Sequence, residues 1–165
     1  MLNIEERTRI ISLIKQEVTP AIGCTEPIAV ALAVSKVTEL LGGLPQKMDV
    51  WLSANVLKNA MGVGIPGTGM VGLPVAIAMG ALVGKSAYGL EVLKDVTPQA
   101  LEDAKLFIDK KIATIHLKED ITEKLFIEVV GSRRQGSDKQ RAQSFFAHRG
   151  QWSSVASSRR CCECD

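Results

Sequence analysis

Apolar residues recur at helical spacing in four parts of the chain. Between Ile4 and Val18 they fall on one face, which predicts an amphipathic helix ending at Pro20. Residues 26–41 are apolar nearly all round, so we expect a central helix there. Residues 73–82 predict a helix of small residues able to pack closely on its neighbours, and residues 97–112 predict a further amphipathic helix.

Three short segments have the alternation and composition of strands: 49–53, 113–117 and 125–130. A charged loop separates the last two, and this spacing favours an antiparallel hairpin. We therefore predict an α+β fold, with helices packed with a small, mainly antiparallel sheet, rather than a doubly wound parallel sheet.

Composition narrows the class of protein. The 165 residues are 46% hydrophobic but only 4% aromatic, which indicates a core of aliphatic side chains. The longest apolar stretch, 70–83, is interrupted by glycines and Pro74 and is too short to span a bilayer. No secretory pattern is present, and residues 1–131 hold a single cysteine. We therefore expect a cytoplasmic protein without a membrane partner.

Charge and composition change abruptly after Gly131. Residues 1–131 carry 13 Lys and Arg against 15 Asp and Glu, whereas residues 132–165 carry 7 against 3. Serine rises from 4 residues to 7 over the same division. We predict a domain over 1–131 and a disordered, Arg- and Ser-rich tail over 132–165.

Three explanations of this tail compete. It could be an arm that binds nucleic acid, a small metal site at Cys161, Cys162 and Cys164, or the out-of-frame translation of a disrupted coding sequence. The change coincides with the end of the last predicted strand, which favours the frameshift and no nucleic-acid partner. The spacing of the three thiols matches neither a zinc site nor an ordinary iron–sulfur run, and His116 and His148 lack nearby ligands, so no metal site is predicted.

The segment 20–27, Pro-Ala-Ile-Gly-Cys-Thr-Glu-Pro, places a thiol at the start of the central helix. Thr25 suits the N-cap, and Glu26 suits the positive end of the helix dipole. Free N–H groups at a helix N-terminus lower a thiol pKa, so Cys24 is a candidate reactive group that Glu26 could tune. The alternative is a small residue in a tight turn, with Glu26 only complementing the dipole.

A second segment, 52–74, contains a glycine-rich loop. Its Gly62-x-Gly64-x-x-Gly67 spacing lacks the preceding strand and following acidic residue of a dinucleotide site, so we reject that interpretation. Exposed N–H groups around Gly67 and Thr68 could hold a carboxylate, and Asn55 and Lys58 could assist. Alternatively, the loop is only a bend between helices, Asn55 and Thr68 only form turns, and Lys58 is an ordinary surface lysine.

Residues 18–33 and 52–74 resemble, in this order, the two signatures of the L-cysteine desulfidase family, which is related to the α-chain of iron–sulfur L-serine dehydratases. The resemblance covers residues 17–130 and implies a lyase that converts L-cysteine and water to sulfide, ammonia and pyruvate. It also implies a [4Fe–4S] cluster as the Lewis acid. On this basis Cys24 is the candidate catalytic base, supported by Glu26, and Asn55, Lys58, Gly67 and Thr68 would bind the substrate carboxylate.

The cluster-binding half of that family has no counterpart here. We therefore predict a truncated and inactive member that binds no cluster, whose oligomeric state the sequence leaves open. Two alternatives remain: a pyridoxal-phosphate lyase that uses Lys58, and a non-catalytic module that binds a small amino acid.

Overall fold

The computed structural model describes residues 3–18, 21–135, 138–147 and 151–155 and confirms the α+β class. The helices are α1 (Ile4–Glu17), α2 (Thr25–Leu40), α3 (Ala54–Met61), α4 (Leu73–Leu82) and α5 (Pro98–Asp109), with a 3₁₀ segment at Ser86–Glu91. The strands are β1 (Lys47–Leu52), β2 (Ala113–Leu117), β3 (Ile127–Gln135), β4 (Asp138–Ala147) and β5 (Gln151–Val155).

The strands form one sheet in the order β2-β1-β3-β4-β5. Strand β2 runs parallel to β1, with Ile115 opposite Val50, and the other neighbouring pairs are antiparallel. The predicted hairpin between 113–117 and 125–130 is wrong, because β1 lies between β2 and β3. The connection after β2 passes the end of β1, where the Lys118 N–H donates to the Leu52 carbonyl. Residue alternation indicates a strand but not its neighbours.

The core lies between the sheet and the helices α2, α4 and α5. Met48, Val50 and Leu52 of β1 are fully buried on the inner face. Helices α2 and α4, which are apolar nearly all round, are buried on most sides by other elements. They approach closely where Gly80 of α4 meets the backbone of Ala31 in α2, which confirms that the small-residue helix packs tightly.

Strands β4 and β5 lie within 132–165, and Arg133 donates from Nη1 to the Gly42 carbonyl at 2.7 Å, at the C-terminus of α2. Disorder of the tail stays a prediction. Limited trypsin digestion after Arg133 and Arg134 tests it, because a paired strand would resist cleavage. His148 and the cysteines at 161, 162 and 164 lie outside the described residues.

No helix in the described ranges combines the length and the apolar character needed to cross a bilayer.

Candidate functional site

The start of α2 differs in one residue from the prediction. Cys24 itself is the N-cap, and Thr25 is the first helical residue. The Cys24 backbone has the extended geometry of a cap, with φ −67° and ψ 133°, but its side chain makes no capping hydrogen bond. The thiol is therefore available to another partner.

A tight contact joins the cysteine segment to the glycine-rich loop. Gly23 has φ +88°, a backbone conformation that residues with a side chain rarely adopt. A Cβ placed on it would also lie 2.5 Å from Cγ of Pro66. Glycine is required at position 23 for both reasons. The two sequence segments are therefore neighbours in space, and the turn at Gly67 follows directly after the contact.

Helix α3 brings the third part of the site. Ser53 caps it by accepting the Val56 N–H, and the Ser53 hydroxyl donates to the Lys124 carbonyl at 2.8 Å. This capping anchors the helix at the end of β1. At the other end of α3, Asn59 extends from the exposed face toward the start of α2.

Glu26 is the centre of a small hydrogen-bonded cluster. Its Oε2 accepts from Cys24 Sγ at 3.1 Å and from Thr25 Oγ1 at 3.2 Å. Its Oε1 accepts from Nδ2 of Asn59 at 3.0 Å. Both carboxylate oxygens are thus held by donors from two helices, and the Cys24 thiol, which is partly buried, is oriented by the carboxylate.

The protonation state of this cluster differs from the expectation. The Glu26 carboxylate accepts a hydrogen bond from the Cys24 thiol, and together with partial burial this raises the thiol pKa above its ordinary value. Backbone donors at the helix N-terminus act in the opposite direction but are outweighed. The hydrogen bonds from Cys24 and Asn59 lower the pKa of Glu26. The predicted lowering of the Cys24 pKa is therefore wrong: the cluster is a thiol beside a carboxylate.

The glycine-rich loop uses Thr68 internally. The Thr68 hydroxyl, which is buried, donates to the Ile65 carbonyl at 2.7 Å and accepts the Met70 N–H at 3.0 Å. The loop is closed further by the bond from the Ile65 N–H to the Met70 carbonyl. Among the described residues, the N–H groups of Gly67 and Gly69 have no hydrogen-bond partner. These two amides, rather than the Thr68 hydroxyl, remain available to a ligand.

The two predicted site residues of α3, Asn55 and Lys58, have different surroundings. Lys58 is exposed and makes no ion pair within the described part of the chain. Asn55, one turn earlier, lines an open cleft of about 550 Å³ formed with Ser53 and residues 117–124. Lys58 is the sequence neighbour of Asn59, but among the described residues neither the Lys58 nor the Asn55 side chain makes a hydrogen bond or an ion pair with the Glu26 cluster.

Sequence reasoning missed Asn59 as a site residue. Its signal was weak, because an asparagine on a short helix is common and its partner is 33 residues away. Its spacing of four residues from Asn55 places both on one face, which was the available clue.

Metal ligands are sparse in the described ranges. No group of three or more His, Cys, Asp or Glu side chains is placed to hold an ion there. Cys24 is the one described cysteine, whereas a [4Fe–4S] cluster takes four thiolates, so the described residues do not by themselves form its site. His116 instead contacts Asp49, with Nε2 at 3.0 Å from Oδ1, and stacks on Trp51.

Comparison with known proteins gives a consistent set of relatives. A protein of Bacteroides fragilis is 70% identical over 124 residues, which are 75% of this chain and 29% of that protein. A protein of Porphyromonas gingivalis is 51% identical over 128 residues, covering 78% of this chain and 30% of its own length. A protein of Aeromonas hydrophila is 48% identical over 123 residues, with coverage of 74% and 28%. All three carry the name UPF0597 protein.

The chain is similar to UPF0597 proteins. It spans less than a third of the length of the relatives named above. No family model matches the chain, and no solved structure matches it.

These names correct the expected family. Relatives at up to 70% identity are named UPF0597 proteins, not L-cysteine desulfidases or serine dehydratase chains. The names also contain no evidence for a cysteine desulfidase reaction or for a truncated, inactive member. The predicted family, its reaction and the truncated, inactive member are therefore withdrawn, and the site is interpreted from its own geometry.

Proposed function

We propose that Cys24, Glu26 and Asn59 form the acid–base part of a site that acts on a small molecule bearing a carboxylate. The observation that supports this most directly is the hydrogen-bonded chain from the Cys24 thiol through Glu26 to Asn59. A thiol held beside an ionised carboxylate is a proton donor in its resting state. This role differs from the nucleophile or base expected of a thiolate.

The chemistry assigned to each residue follows from the two pKa directions. The raised pKa keeps the Cys24 proton in place at neutral pH, and the thiolate formed after its transfer is correspondingly basic. Glu26 favours the protonated thiol because its carboxylate accepts a hydrogen bond from Cys24 Sγ. Asn59 is a positioning residue, because its amide holds the second carboxylate oxygen and thereby the orientation of Glu26.

The carboxylate of the ligand would be bound by Lys58 and the amides of Gly67 and Gly69. Lys58 supplies a positive charge with no ion pair among the described residues, and the two glycines supply N–H donors without a partner there. The contact between Gly23 and Pro66 holds this turn against the Cys24 segment. We place this chemistry in the cytoplasm, where a free thiol stays reduced.

The test is protection of Cys24 from iodoacetamide, with the modified peptide identified by mass spectrometry. The probes are acetate, pyruvate and L-alanine, each compared with its amide at equal ionic strength. We expect at least one carboxylate to slow alkylation of Cys24 while its amide does not. The Lys58→Met variant should lose that protection, whereas the control Lys15→Met, on exposed α1, should keep it. Equal effects of acid and amide, or equal protection in Lys58→Met, would refute the carboxylate site.

A further inference from the structure

Strand β2 lies at one edge of the sheet that the described residues form. It pairs with β1 on one side only, and within the described residues no strand pairs with the other side. An edge strand presents unpaired N–H and C=O groups that can pair with another chain. The side chains also remain partly open: Thr114 is exposed, and Leu117 is 46% exposed.

The parallel ladder determines which backbone groups face outward. The Met48 N–H donates to the Ile112 carbonyl, and the Lys118 N–H donates to the Leu52 carbonyl. In a parallel pair, alternate residues bond to the neighbour, so the even-numbered residues of β2 face β1. The N–H and C=O groups of Ala113, Ile115 and Leu117 therefore face outward.

The charges flanking β2 are sorted by sign. Lys110 and Lys111 precede the strand, and Glu119 and Asp120 follow it. All four side chains are exposed, and none of the four makes an ion pair within the described part of the chain. Charges commonly protect an edge strand from pairing, but a strand that is positive at one end and negative at the other is complementary to its own antiparallel copy.

We propose that β2 pairs antiparallel with β2 of a second copy of this chain, forming a sheet that continues across a two-fold axis. The axis passes beside Ile115, so that Ile115 lies opposite its own copy and Ala113 lies opposite Leu117. This register pairs the outward-facing residues with one another, as hydrogen-bonded pairs require. Just beyond the ends of the strand, it brings Lys110 and Lys111 of one copy to the same end of the pair as Glu119 and Asp120 of the other.

Other registers satisfy fewer of these conditions. A shift by one residue would set outward-facing groups against groups already bonded to β1. A shift by two residues would set Leu117, or in the other direction Ala113, opposite a residue outside the strand, so that its outward groups would lose a strand partner. Parallel pairing would align lysines with lysines. The contact is short, so we expect a reversible dimer rather than an obligate one.

Sedimentation equilibrium between 1 µM and 1 mM, at low and high salt, tests the assembly. We expect reversible dimerisation that Glu119→Lys weakens at least about fivefold in Kd, because two attractions of the symmetric pair become repulsions. The double variant Glu119→Lys/Lys111→Glu should restore it. The control Glu123→Lys makes the same charge change in the same loop and should leave Kd unchanged.

Two further measurements examine the backbone pairing. Hydrogen exchange should show the amides of Ala113, Ile115 and Leu117 protected at high protein concentration and exposed on dilution. Leu117→Pro removes an outward N–H without removing a bond to β1, so it should give a folded monomer. A chain that stays monomeric up to 1 mM would overturn the proposal. So would a dimer whose Kd is unchanged by Glu119→Lys, because another surface would then hold it together.

Discussion

The close approach of α4 to α2 provides a quantitative test of the fold. A Cβ added at Gly80 would lie 2.5 Å from the carbonyl oxygen of Ala31 and 2.9 Å from its Cα. Ordinary contacts begin at 3.4 Å, so the two backbones would have to separate by about 0.9 Å. The obstructing atoms belong to the backbone, so no side-chain rotation can relieve the overlap.

The magnitude follows from two opposing effects in Gly80→Ala. Replacing glycine by alanine inside a helix stabilises it by about 0.5–1 kcal/mol. Overpacking a core typically costs about 1–3 kcal/mol, and a backbone obstruction between two buried helices belongs at the upper end. We therefore expect a net loss of about 2 kcal/mol in the free energy of unfolding. For a chain of this size that lowers the melting temperature by about 4–8 °C.

The assay is thermal and urea unfolding followed by far-ultraviolet circular dichroism. Gly62→Ala is the matched control, because a Cβ at Gly62 would meet nothing within 4 Å and its φ is negative. The control should change stability by less than about 0.5 kcal/mol. If Gly80→Ala melts within 1 °C of the unmodified chain, the helices do not approach at Gly80 as described, and the packing argument fails.

Four further predictions concern the candidate site and the end of α2. In Glu26→Gln the Cys24 thiol should titrate at lower pH than in the unmodified chain, because the negatively charged acceptor beside it is replaced by a neutral one. Iodoacetamide rates over pH measure this, and an unchanged profile would contradict the assigned cause. Because the Glu26 pKa is lowered on folding, ionised Glu26 stabilises the fold at pH values above the ordinary carboxylate pKa, and this contribution is lost as pH falls through the pKa of the folded state. In Glu26→Gln the free energy of unfolding should therefore fall less steeply on acidification. A steeper fall would contradict the direction assigned to the Glu26 pKa shift. Gly23→Ala should lower the free energy of unfolding in urea by about 1–3 kcal/mol, because both the positive φ at this position and the nearby Pro66 ring disfavour a side chain. An unchanged stability would contradict the close contact between the two segments. Arg133→Ala should lower the melting temperature by about 2–4 °C, because it removes a charge-assisted hydrogen bond of roughly 1 kcal/mol at the C-terminus of α2. Arg134→Ala is the control, and equal melting temperatures of the two variants would argue against a stabilising role of the Arg133 hydrogen bond.

The sequence by itself determined most of the elements. Helical periodicity located the helices because it records which face of each segment is buried, and this is a local property of the chain. The helix predicted over 73–82 has those bounds in the structure. The small residues of that helix also indicated close packing, which Gly80 provides.

Only the tertiary structure decided which elements are neighbours. Strand β1 lies between β2 and β3, and no pattern within those strands could show it, because alternation is the same whichever strand is adjacent. The raised pKa of the Cys24 thiol has a mainly local cause, because Glu26 is only two residues away in sequence. The contact that holds Glu26 from α3 is not local. Asn59 is 33 residues from Glu26 in sequence, so folding alone brings them together.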